Sequence, residues 1–119
     1  MPAPVKALVV SPDGAARVIT TEQTLDALQA LIGGGWIEAF SPFDGDWHGY
    51  CDEDGKVKGL PANRAATGLA HALGWQGAPW DILCGTIVFL SRDKQGRDAD
   101  VPERVIAVAR EFCEFPLTS

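Results

Sequence analysis

The sequence predicts an α+β domain with a mixed, mainly antiparallel sheet of about four to six strands and about three helices packed mostly on one face. Three observations carry this prediction. Short apolar runs are separated by Gly, Pro and Asp turn residues, which is typical of hairpins. Other stretches repeat apolar residues every three or four positions, which is typical of amphipathic helices. The two kinds of segment do not alternate regularly. With 119 residues, 46% of them hydrophobic, the chain fits one domain spanning residues 1–119.

The first elements are a hairpin and a helix. Val5 to Val10 is a β-branched apolar run, Ser11 to Gly14 forms a turn, and Ala16 to Thr20 gives the second strand. Thr20 and Gln23 are spaced as a capping box. A helix then follows from the apolar positions, and the three glycines after it end it. These positions are Leu25, Leu28, Leu31 and Ile32, followed by Gly33, Gly34 and Gly35.

The middle of the chain predicts two further strands and a second helix. Trp36 to Ser41 and Trp47 to Cys51 have strand patterns, so Trp36 and Trp47 are expected to be core residues or half-buried cover. Lys56 to Lys58 could continue the sheet. A helix is expected from about Pro61 to Leu73, with Gly74 after its end.

The last third predicts the central strand and a third helix. Asp81 to Leu90 is the longest apolar stretch, and we expect it to lie centrally in the sheet. Asp100 with Glu103 resembles a helix cap, and Val105 to Cys113 carries a wide apolar face.

The charge balance limits the classes of function. Sixteen acidic residues against ten basic ones give a net charge of −6, which argues against direct binding of nucleic acid. It leaves open an ordinary charged surface and an acidic inhibitor that mimics nucleic acid. The mimic would use the carboxylates crowded at two predicted turns: Asp44, Asp46, Asp52, Glu53 and Asp54.

The sequence indicates a cytoplasmic protein. The N-terminus has no signal-peptide pattern, and no apolar run is long enough to span a bilayer. Three cysteines without short spacings between them fit reduced, mostly buried thiols. A homo-oligomer is left open.

Metal, cofactor and catalytic motifs receive little support. His48 and Cys51 have one short spacing, whereas zinc sites normally have two, so we expect neither a metal nor a cofactor. In a strand, His48 and Cys51 point to opposite faces, which weakens a catalytic dyad. A small enzyme using His48, Cys51 or His71 remains an alternative to a non-enzymatic protein.

One polar stripe stands out as a candidate binding site. Asn63, Thr67 and His71 recur every fourth residue on the second helix, with Arg64 beside them. Trp75 and Trp80 flank the following loop and could form an aromatic wall. Free N–H groups at the helix start and the Arg64 guanidinium would suit an anionic or amide-bearing ligand, or a partner protein. In the alternative interpretation, Asn63 only caps the helix and the other polar residues only face water.

The segment Gly59 to Thr67, with the pattern Gly-Leu-Pro-x-Asn-Arg-x-Ala-Thr, is the most specific part of a wider resemblance. It belongs to the segment Asp52 to Thr67, which together with three other segments resembles a small family described as a domain of unknown function (3846 type), found in bacteriophage and actinobacterial genomes. The resemblance implies a cytosolic, phage-type accessory protein, located in the host cytoplasm if phage-encoded, and supplies no activity. The other segments are Val5 to Gly14, Leu31 to Ala39 and Asp81 to Leu90.

Overall fold

The structure is a computed structural model that describes residues 3–42, 45–78 and 81–116. A six-stranded sheet has the strand order β2-β1-β5-β4-β3, with β6 paired to β5, and all strand pairs are antiparallel. The predicted α+β fold is therefore confirmed. The elements in chain order are β1 (Val5–Val10), β2 (Ala16–Thr21), α1 (Leu25–Leu31), β3 (Ile37–Phe40), β4 (His48–Asp52), α2 (Arg64–Ala72), β5 (Ile87–Arg92), β6 (Asp98–Ala99) and α3 (Glu103–Phe112).

The sheet separates two hydrophobic cores, because successive strand residues point to opposite faces. Leu8 and Phe89 lie in the core beneath α2 and α3. Val9 and Val88 lie in the opposite core, beneath α1. Of the three described helices, two cover one face and one covers the other, which agrees with helices packed mostly on one face.

The N-terminal hairpin follows the prediction closely, with Val10 opposite Ala16. The predicted capping box of Thr20 and Gln23 was wrong. Thr24 caps α1 instead, and its hydroxyl accepts a hydrogen bond from the Ala27 amide. A left-handed Gly33, with φ of 101°, follows the end of this helix, as the glycine run predicted.

The prediction that Asp81 to Leu90 forms a strand is correct only from Ile87 onward. This strand lies centrally, between β1 and β4. Residues 81–86 contain only an isolated bridge from Cys84 to Ala62, so their apolar side chains reflect packing rather than strand pairing. Residues 56–58, expected to extend the sheet, form turns instead.

Two further expectations about local structure were wrong. The residue before α3 is Pro102, and the Asp100 carboxylate instead accepts a hydrogen bond from the Lys6 amide at 2.8 Å. Trp47 is buried as expected, but Trp36 is 65% exposed. An aromatic side chain that is this exposed, directly before β3, contributes little to the core.

Candidate functional site

Asn63 is a buried structural hub at the start of α2. Its side-chain oxygen accepts a hydrogen bond from the Ala66 amide, which caps the helix. Its amide group donates to the carbonyls of Val10 and Gly85, both at 2.9 Å. The side chain is fully buried, so a ligand would meet the residues around Asn63 rather than Asn63 itself.

Thr67 and His71 continue the same role along the stripe. The Thr67 hydroxyl donates to the Asn63 carbonyl and accepts from the Leu83 amide at 2.9 Å. The His71 ring packs on the Trp75 ring, with centroids 4.8 Å apart, and its Nδ1 lies 3.2 Å from the Trp75 carbonyl oxygen. The stripe therefore holds the segments containing Trp75 and Leu83 against α2.

Hydrogen bonds within the fold use part of the helix start. The backbone N–H of Asn63 donates to the Leu83 carbonyl at 2.7 Å, and the backbone N–H groups of Ala66 and Thr67 donate to the side-chain oxygen and the carbonyl oxygen of Asn63. Arg64 is exposed and forms no ion pair within the described residues. Its expected role in anion binding stays a prediction. Trp80 lies outside the described residues.

The stripe supports one wall of a groove at the β3 edge of the sheet. The groove has a volume of about 300 Å³, which is in the range of small-ligand pockets. Its floor is formed by Phe40 of β3 and Cys51 of β4, and Trp75 closes one side, packing on Phe40 with ring centroids 5.4 Å apart. Leu83 and Val57 contribute further apolar surface.

Carboxylates surround this apolar floor: Glu38, Asp52, Glu53 and Asp81 all line the groove. Lys58 pairs with Asp52 at 2.8 Å, and Lys56 pairs with Asp81. Among the described residues, Glu38 and Glu53 form no ion pair. The lining therefore carries excess negative charge.

The pKa of Cys51 reflects this environment. Burial raises it most, and the nearby carboxylates of Glu38, Asp52 and Asp81 raise it further, to about 12. The thiol is therefore protonated at neutral pH and is a poor nucleophile. Since Cys51 packs against the core beneath α2 while Tyr50 lies in the opposite core, the predicted separation of His48 and Cys51 onto opposite faces of β4 is confirmed.

A second polar cluster links β4 to β6 and was missed from the sequence. His48 Nε2 lies 2.9 Å from an Asp98 carboxylate oxygen, and the Tyr50 hydroxyl donates to the same oxygen at 2.8 Å. Burial opposes ionisation of Asp98, but these hydrogen bonds outweigh it and hold its pKa below the ordinary value. His48 and Asp98 are fifty residues apart, so no local pattern could reveal the pair.

The acidic residues proposed for nucleic-acid mimicry are divided. Asp46 precedes β4 and pairs with Arg104, whereas Glu53 and Asp54 follow the strand at its other end. Asp52 is buried and paired with Lys58. At about 3.3 Å per residue, a strand's length separates the two groups, and Asp44 lies outside the described residues.

The described residues contain neither a metal-binding cluster nor a membrane-spanning helix. No three His, Cys, Asp or Glu side chains gather there closely enough to hold a metal ion. The described helices run 7, 9 and 10 residues, and none has the length and hydropathy to reach across a bilayer.

The fold and groove define an α+β domain with an antiparallel sheet and an acid-lined apolar groove beside one edge strand. The chain belongs to the family described as Domain of unknown function (DUF3846), whose model matches residues 5–114. No curated protein and no solved structure matches the chain.

Proposed function

We propose that this protein is a non-enzymatic accessory module that binds a ligand or partner in the groove between Trp75 and Cys51. The segment Gly59 to His71 supports this binding indirectly, because its hydrogen bonds to Trp75 and Leu83 hold the groove walls in place. The observation that carries the proposal is the combination of apolar surface, aromatic and aliphatic, with a carboxylate-rich lining in one groove. Such a site suits a ligand with an apolar body and a positive charge.

The electrostatics decide between ligand classes. An anionic ligand at the helix start would find the N–H groups of Ala66 and Thr67 already bonded to Asn63. In the groove, it would face the free carboxylates of Glu38 and Glu53. A cationic ligand would gain from both carboxylates, because like charges repel and opposite charges attract at close range.

Binding is favoured over catalysis because the Cys51 thiol is protonated at neutral pH. A nucleophilic cysteine needs a lowered pKa, whereas the pKa of Cys51 is raised to about 12.

The alternative of an acidic mimic is weakened by the pairing of Asp46 and by the burial of Asp52. An accessory role in a phage or actinobacterial cell remains part of the proposal.

The test is an NMR titration of isotope-labelled protein with two indole probes of opposite charge. Tryptamine should shift the Trp75 indole N–H signal and the Cys51 and Cys84 amides, with a Kd on the order of 1 mM for so small a ligand. Indole-3-propionate, which carries a carboxylate in place of the amine, should bind at least several-fold more weakly.

Matched variants locate the effect. Glu38→Gln should weaken tryptamine binding severalfold and leave the fold intact, since Glu38 is exposed on an edge strand. Glu111→Gln removes one carboxylate from the exposed side of α3 and should leave binding unchanged. Equal binding of both probes, or tryptamine shifts confined to another surface, would overturn the proposal.

A further inference from the structure

The edge strand β3 offers hydrogen-bonding groups beside the groove. β3 is the last strand of the sheet and pairs on one side with β4. The Glu53 amide donates to the Trp36 carbonyl at 2.8 Å. In an antiparallel pair, residues that bond to the neighbouring strand alternate with residues that do not. The N–H and C=O groups of Ile37 and Ala39 therefore point away from β4, toward the open edge.

Apart from its length of four residues and the charge of Glu38, β3 has few of the features that normally protect an edge strand. Natural edge strands carry lysines, prolines or bulges that prevent pairing with another chain. The sequence of β3 is Ile-Glu-Ala-Phe, and Glu38 is its one charged residue. Beside the strand, Trp36 is 65% exposed and Val57, which lines the groove, is 90% exposed.

We propose that the natural ligand is an extended basic segment of a partner protein, which adds to β3 as a further strand and places side chains in the groove. This inference rests on the proposed function and names its ligand class. Strand addition gives affinity through backbone hydrogen bonds and specificity through alternate side chains. Glu38 and Phe40 point into the groove, so alternate residues of an added strand would lie over the same face.

Charge selects a basic partner over a second copy of this chain. Antiparallel pairing of two β3 strands would bring the Glu38 side chains of both copies toward each other across the new pair. Each copy also carries a net charge of −6. Like charges facing each other across paired strands are destabilising, whereas lysines on a partner strand would complement Glu38 and Glu53.

The test uses a seven-residue peptide of alternating Lys and Val, titrated into the protein by calorimetry and NMR. We expect binding, slower hydrogen exchange of the Ile37 and Ala39 amides, and weakening as salt rises. A peptide with Glu in place of Lys should not bind. A Lys-Val peptide N-methylated on the amides that face β3 should bind about tenfold more weakly, because it lacks the donors.

Ala39→Pro is the matched protein variant. Proline removes the outward N–H of Ala39 and leaves the ladder to β4 intact, which is why prolines are tolerated on edge strands. The Kd for the Lys-Val peptide should rise about tenfold, while tryptamine binding stays unchanged and reports that the groove is folded. The N-methylated peptide provides the same test without any substitution in the protein.

The outcomes separate the two proposals. If tryptamine binds but the Lys-Val peptide does not, or if N-methylation and Ala39→Pro have no effect, strand addition is overturned and groove binding stands. If neither probe binds, both proposals fail. If sedimentation shows a dimer that Ala39→Pro disrupts and the Lys-Val peptide does not bind, the occupant of the edge is a second copy and the basic partner is overturned.

Discussion

Asn63 shows how much of a residue's role can be predicted from its place along the sequence. Its position before an apolar helix predicted a cap, and the structure has that cap. Its side chain also donates hydrogen bonds to two carbonyls that are distant in sequence. Val10 lies 53 positions before Asn63, and Gly85 lies 22 positions after it. Spacing along one helix cannot reveal such partners, so the sequence did not show that the Asn63 side chain is hydrogen-bonded within the fold.

Asn63→Ala should be among the most destabilising changes in the molecule. It leaves the Val10 and Gly85 carbonyls and the Ala66 amide without their partner in a buried site. We expect the free energy of unfolding to fall by about 3 kcal/mol or more, as each buried unsatisfied group costs about 1–3 kcal/mol. Urea denaturation measures the change.

Arg64→Ala is the neighbouring control. Arg64 is exposed, so its removal should change the free energy of unfolding by no more than about 0.5 kcal/mol. Similar losses for both variants would show that Asn63 is not the hub. The same Arg64→Ala protein, titrated with inorganic phosphate, tests the anion-binding role predicted for Arg64 from the sequence.

At the scale of elements, periodicity predicted the helices and the hairpin, because their patterns are local. It failed at residues 81–86, where Leu83 is buried against α2 without belonging to a strand. Apolar content alone cannot distinguish these two situations. The groove was missed for a similar reason, since Glu38, Cys51 and Asp81 come from separate segments that only the folded sheet brings together.

The short strand β6 depends on a side-chain cluster, which makes a pH prediction. Asp98→Asn replaces the carboxylate that accepts from His48 and Tyr50, and should lower the free energy of unfolding at pH 7 by about 1–3 kcal/mol. Because the folded-state pKa of Asp98 is lowered, its stabilisation is complete above the ordinary carboxyl pKa of about 4 and is lost as pH falls through the folded value.

Urea denaturation of both proteins between pH 2.5 and 7 would follow this loss. The difference between wild type and Asp98→Asn should stay constant down to about pH 4 and shrink below it. Tyr50→Phe keeps the carboxylate and removes one hydrogen bond, so it should cost less and retain part of the pH dependence. A difference that is the same at every pH would contradict the assignment.

At the scale of the whole molecule, the central strands connect the two cores. β1 and β5 each send alternate side chains to both faces, so Leu8 and Phe89 pack beneath α2 while Val9 and Val88 pack beneath α1. A backbone shift in either strand therefore disturbs both cores at once. This arrangement also fixes the groove, because its floor is part of the same sheet.

The shared strands predict that the two faces unfold together. Leu69, fully buried on α2, and Leu28, 5% exposed on α1, provide a matched pair of core positions on opposite faces. Leu→Ala should lower the free energy of unfolding by about 2–5 kcal/mol at each site. In both variants, the urea transitions followed by tryptophan fluorescence and by far-UV circular dichroism should coincide, as in a two-state protein. If Leu28→Ala separates them, with helix lost before the buried Trp47 is exposed, then α1 is an independently unfolding layer and the sheet does not couple the two cores.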